Sequence, residues 1–235
     1  MFAPALPAYL WLWPNVRDTE WLVPVQVIVY FYFLAGSLIV GLRRWSLSQL
    51  GVNRQGIGLS LICGAAFLLV FALGRLATDL PLSPRPLTLR RLAGEVGFYL
   101  GLVGPIEELL FRGLIYRALE EWRGSRWAIW GSALVFGLYH IGWQGPLGAL
   151  GCFLIGAVFG AIRWRAGGIV GLIVTHALLD LISVELYAGL TIEQVREVHI
   201  ARPALAVVGD GLLLALVLFL WKFRQSETQT SNEEV

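Results

Sequence analysis

The sequence predicts an all-α protein, a polytopic bundle of transmembrane helices with about seven to eight spans. Three observations carry that reading. The chain is 57% hydrophobic and 14% charged, where soluble domains carry about 25% charge, and its mean hydropathy is +0.70. Its apolar residues come in successive runs near the roughly 20 residues a helix needs to cross a bilayer. Ten tryptophans fall largely at the ends of those runs, Trp21, Trp45, Trp122, Trp127 and Trp221 among them, as interfacial anchors do. The absence of a long polar region in the sequence argues for one membrane domain. A net charge of +2 is too small to imply nucleic acid as a partner. Cys63 and Cys152 stand alone in apolar segments and form no CxxC, so they read as core residues without a redox or metal role.

The elements follow in order. Residues 1–20 hold Pro4, Pro7 and Pro14 and no basic n-region, which favours an interfacial lead-in over a cleavable signal. Residues 21–89 form the N-terminal spans. The first runs about Trp21–Leu42 and stops at Arg43-Arg44; a polar connector, Ser46–Gly56, leads to the second, about Ile57–Ala77. Three prolines make Asp79–Pro86 a loop. Residues 90–187 form a central unit whose third span, about Ala93–Leu119, follows the basic pair Arg90-Arg91. Gly104-Pro105 is expected to weaken helical hydrogen bonding within it. Glu120–Arg126 reads as a charged connector, followed by a fourth span (about Trp127–Ile141), a fifth (Pro146–Ile162) and a sixth (Gly168–Tyr187). A loop and a last span, about Pro203–Trp221, fill 188–224, and the polar tail 225–235 reads as disordered. Positive charge is more abundant on the connectors after odd-numbered spans. That favours an outside N-terminus and places 120–126, 163–165 and 222–224 in the cytoplasm.

The third span is the unusual one. Inside its apolar run lies Gly104-Pro105-Ile106-Glu107-Glu108-Leu109-Leu110-Phe111-Arg112-Gly113. Charged groups in hydrocarbon cost at least about 2.5–3.5 kcal/mol each, so function or tight pairing must hold them there. Glu108 and Arg112 are four residues apart and share a helix face, where they can pair. Glu107 is turned about 100° from Glu108 and cannot share that alignment. One glutamate is thus expected to be neutralised within its own helix, and the other to point elsewhere.

Few other ionisable groups lie deep in the spans. His140 ends Phe136-Gly137-Leu138-Tyr139-His140 on the fourth, and His176 and Asp180 share a face of the sixth. Each alone is more often a helix-to-helix hydrogen bond than a catalyst. Together, a carboxylate that takes a proton from water and imidazoles that position the water or stabilise an oxyanion make a hydrolytic set. His199, in the charged segment Glu193–Arg202, reads as solvated surface.

The ordered trio Glu107-Glu108-xxx-Arg112, Phe136-xxx-His140 and His176-xxx-Asp180 resembles the signature of the CAAX-protease and bacteriocin-processing family, also called CPBP or Abi. The flanking Gly104-Pro105-Ile106 and Leu109-Leu110-Phe111-Arg112-Gly113 fit the same pattern, and the resemblance covers about residues 90–187. It implies an intramembrane endopeptidase, similar to the type II CAAX prenyl protease. It further implies that Glu107 activates the attacking water and His140 holds that water. His176 and the residue at 180 would stabilise the oxyanion, with Glu108, Arg112 and Phe136 as structural support. The family takes Asn or Asp at position 180, and this chain has Asp. Asp180 must then either donate as the neutral acid or support His176 as a carboxylate, and the second is the preferred reading.

The resemblance also raises zinc, with Glu107, His140 and His176 as ligands and water as the fourth. There is no HExxH in the sequence, and Glu108 is aligned with Arg112 and so poorly placed as a base. The expectation is therefore a glutamate-activated water and no cofactor, with zinc as the alternative. Expected partners are a peptide or membrane-protein substrate and membrane lipid. The expected location is the plasma membrane, with the site facing the cytoplasm. Two other functions use the same residues: a non-proteolytic immunity or scaffold protein, and a proton-coupled transporter. Intact Glu107, His140 and His176 weigh against the first, and the lack of repeats or paired broken helices against the second.

Overall fold

The computed structural model describes residues 22–77, 82, 85–86, 88–190, 194 and 211–219. The expected lead-in 1–20, His199 and the tail 225–235 lie outside these. The described chain is 84% helical without a strand. We number the helices α1 (Leu22–Leu42), α2 (Ile57–Leu76), α3 (Leu89–Phe98), α4 (Gly104–Glu108), α5 (Tyr116–Arg123), α6 (Ser125–Ala166) and α7 (Val170–Leu186). Two π-helical segments, Tyr99–Val103 and Leu109–Ile115, join α3 to α4 and α4 to α5. Residues 211–219 are also helical.

The glutamate-bearing run is thus one unbroken helical path from Leu89 to Arg123, longer at both ends than the sequence predicts. It begins early because the Thr88 hydroxyl caps it, accepting a hydrogen bond from the Arg91 N–H at 3.2 Å. Arg90 and Arg91 therefore sit inside its first turn instead of before it. It ends only at Gly124 (φ 84°, ψ 177°), so the expected connector 120–126 is helix through Arg123. Gly104-Pro105 does not interrupt the path either. Pro105 has no N–H, and its ring would crowd the carbonyl four residues back. The wider π turn absorbs this, with the Gly104 N–H bonded to the Tyr99 carbonyl.

The fourth and fifth apolar runs need no connecting loop. They form α6, bent where Gly145 takes φ 69° and ψ −178°, with Pro146 next. Left-handed φ suits glycine, and proline suits the first turn of the half that follows. Ile57–Leu76 and Gln144–Ala166 are long and apolar enough to cross a membrane, and Val27–Leu42 is a shorter apolar helix.

Packing joins α2 to α7, α7 to the first π segment and α4, and α1 and α6 to the second π segment. One buried cluster gathers Phe67, Tyr116, Ile129, Phe159, Ile162, Leu172 and Val217. A second gathers Tyr30, Phe33, Val103, Ile106, Phe111, Phe136 and Tyr139. The connector after α1 is tied down by side chains. The Trp45 indole and the Arg44 guanidinium both donate to Glu121, at 2.6 and 2.8 Å. The indole hydrogen bond first, and the arginine after it, hold the Glu121 carboxyl below its usual range. The Arg163 Nε donates to the Arg112 carbonyl and its Nη2 to the Gln49 carbonyl, each at 3.3 Å.

Candidate active site

α4 is a short α-helical turn held between two π segments, and it carries both glutamates. π turns concentrate at functional sites. Adjacent residues on it diverge, and the two carboxylates do so here. Glu108 turns toward Arg112, whose Nη1 donates to Glu108 Oε1 at 3.1 Å with both side chains fully buried. Arg112 is held further by the Gly156 carbonyl at 3.2 Å. Its guanidinium also lies over the Phe136 ring at 4.4 Å and near Phe159 at 5.3 Å.

Glu107 turns the other way, toward α1. The Tyr30 hydroxyl donates to Glu107 Oε1 at 2.9 Å. The other oxygen, Oε2, is buried and makes no hydrogen bond. It faces His176 Nε2 at 3.7 Å, and Asp180 Oδ2 approaches the same nitrogen at 3.9 Å. Both separations exceed a hydrogen bond, so neither oxygen is bonded directly to that nitrogen.

His176 joins the two glutamates. Its Nδ1 lies 2.7 Å from Glu108 Oε1. Since that carboxylate already accepts from Arg112, we assign the donated proton to Nδ1. Arg112, Glu108 and His176 thus form one buried chain, with Nε2 left facing Glu107 and Asp180. The sequence paired His176 with Asp180 alone; its bond to Glu108, on another helix, is invisible to helical spacing. Phe159 and Phe136 flank the imidazole edge-on at 5.6 and 6.0 Å.

His140 sits half-buried on the first half of α6. Its Nδ1 is 2.9 Å from the Phe136 carbonyl, one turn back, leaving Nε2 available. Its ring packs against Phe136 with centroids 4.5 Å apart and a tilt of 55°, and Phe136 in turn touches Arg112 and His176. Phe136 is therefore the wedge against which three polar side chains are set. Among the described residues, no three His, Cys, Asp or Glu side chains cluster as metal ligands do. Glu107, His140 and His176 do not stand together as such a group.

Tyr30 escaped the sequence analysis. Two tyrosines, Tyr30 and Tyr32, sit in an apolar run with no partner at helical spacing, and nothing separates them. In the structure Tyr30 is buried and Tyr32 exposed.

Residues 91–182 match the model of a family described as Type II CAAX prenyl endopeptidase Rce1-like. That stretch contains Glu107, Glu108, Arg112, Phe136, His140, His176 and Asp180, and it agrees with the resemblance read from the three motifs. Comparison with curated proteins and with solved structures gives no match.

Proposed function

We propose that this chain is an intramembrane endopeptidase that hydrolyses a peptide bond with water activated by Glu107. One observation carries the reading: within the stretch that matches an endopeptidase family, a buried carboxylate oxygen without a hydrogen bond faces an imidazole nitrogen across 3.7 Å. In this scheme the water lies beside that pair, within hydrogen-bond reach of Glu107 Oε2. Glu107 takes its proton as the oxygen attacks the scissile carbonyl carbon. His140 helps hold the water, while His176, protonated on both nitrogens, donates from Nε2 to the developing oxyanion, with the Asp180 carboxylate beside that nitrogen. The tetrahedral adduct then breaks its C–N bond, and Glu107 returns the proton to the leaving amine. Glu108 and Arg112 orient His176 through Nδ1.

The chain crosses the membrane seven to eight times in this reading, with the site toward the cytoplasmic face of the cell membrane. Its substrate is a peptide or a membrane protein. Two findings support the membrane setting: helices apolar and long enough to span, and large aliphatic side chains such as Ile28 and Ile62 facing outward.

Turnover of a quenched peptide by the purified chain tests the reading, with Glu107→Gln as the control. Treatment with a strong zinc chelator should leave the rate unchanged, with no zinc found by metal analysis. Loss of activity on chelation, restored by one equivalent of zinc, would replace the glutamate mechanism with a metal one.

A further inference from the structure

The stretch that matches the endopeptidase family begins at residue 91, yet α1 delivers a group to the centre of the site. Tyr30 is buried in the second core cluster, with its ring set edge-on to Phe98 at 6.5 Å. From there its hydroxyl reaches Glu107 Oε1 at 2.9 Å. We infer that Tyr30 is a positioning residue for Glu107, fixing which carboxylate oxygen faces the reacting bond. The inference rests on the proposed role of Glu107 as base.

A glutamate carboxylate turns easily about its last torsion, whose preference is broad and two-fold. Left alone, its two oxygens would exchange places. Glu108 cannot steady it, because Glu108 is already engaged with Arg112 and His176. Arg112 points into the same chain, with its remaining donated bond to Gly156. Tyr30 engages Oε1 alone, so Oε2 is the oxygen presented to His176 Nε2 and Asp180. A phenol is well suited to this position, because it donates one hydrogen bond to the carboxylate and brings no formal charge into the site. Holding a catalytic group in reacting geometry raises the chemical rate without strengthening substrate binding.

Tyr30→Phe keeps the ring, its packing on Phe98 and the helix, and removes only the hydroxyl. On a quenched peptide cleaved by the wild-type chain, kcat should fall about 10- to 100-fold, the range that loss of a hydrogen bond to a charged group produces. KM should stay at its wild-type value, and the melting temperature should fall modestly, since Glu107 Oε1 loses its buried donor. A wild-type kcat, or a loss confined to KM, would overturn the inference. A second readout does not depend on peptide cleavage. The infrared difference between wild type and Glu107→Gln isolates the Glu107 carboxyl band, and Tyr30→Phe should shift it. An unmoved band would overturn the inference on its own. A wild-type chain that cleaves no peptide would overturn the peptidase reading, and the band would still decide for or against Tyr30.

Discussion

α2 and the glutamate-bearing path from Leu89 to Arg123 both read as apolar runs, yet α2 buries one face and the glutamate turn is covered on every side. α2 turns Ile62, Leu69 and Leu73 outward, Ile62 by 71%, and buries Ser60, Gly64 and Arg75 along with Phe67 and Leu68. Its inner face is small where it meets α7: a methyl added at Gly64 would collide with Thr175, and one at Gly171 with Ser60. That is how helices pack in hydrocarbon, where small residues admit the neighbour and aliphatic ones face lipid. The middle of the glutamate path is enclosed instead. Every residue from Ile106 to Leu114 is buried, Glu107, Glu108 and Arg112 included. Hydropathy alone therefore does not tell which face is interior. In a membrane the polar and small positions mark it.

The difference is sharpest at Glu107, because the enclosure that holds it is costly unless the group does something. Glu107→Gln keeps the shape and can still accept from Tyr30, yet cannot take a proton from water. Peptide turnover should fall about 100- to 10,000-fold, the usual share of a general base, with melting behaviour unchanged. A purified Gln variant with full turnover would remove Glu107 from the chemistry and leave the site as a structural polar core.

Glu108 tests the other side of the enclosure. Glu108→Ala leaves Arg112 buried without its carboxylate and strips the acceptor from His176 Nδ1. Breaking a buried pair this way costs about 3–5 kcal/mol. The Gly156 carbonyl and the Phe136 face keep some of Arg112's contacts, so the lower end of that range is expected in detergent unfolding. Turnover should fall as well, since His176 loses its orientation. A variant as stable as wild type but inactive would exchange the roles of the two glutamates.

Sequence spacing anticipated the Glu108–Arg112 pair and the divergence of Glu107 because both follow from rotation along one helix. It also placed α1, α2 and α7 within about three residues at each end, where apolar runs end in charge or glycine. What it missed depends on contacts between helices or on the hydrogen-bond pattern within one. No spacing rule joins His176 to Glu108 from another helix, or selects Tyr30 over Tyr32. The first π segment was hidden for a different reason: a proline marks a disturbed ladder without saying whether the helix breaks or widens, and no proline marks the second. At Pro105 it widens, and the glutamates stay on a continuous helix. The Gly145 hinge was half legible, as a gap between two spans whose connector turned out to be a single residue.

The smallest effect belongs to the outer face of α2. Ile62 is exposed by 71% and is not among the residues packed in either buried cluster. If that face meets only lipid, Ile62→Ala removes aliphatic contact that neighbouring acyl chains replace, and alanine is the better helix former. Stability in lipid nanodiscs should change by no more than about 0.5 kcal/mol, as for surface substitutions away from special features, and turnover should match wild type. A loss of about 2 kcal/mol or more, the cost of truncating a packed aliphatic side chain, would mean that this face packs against protein. The contrast between a lipid-facing α2 and an enclosed glutamate helix would then fail at its outer edge, and α2 would have to be read as buried on both sides.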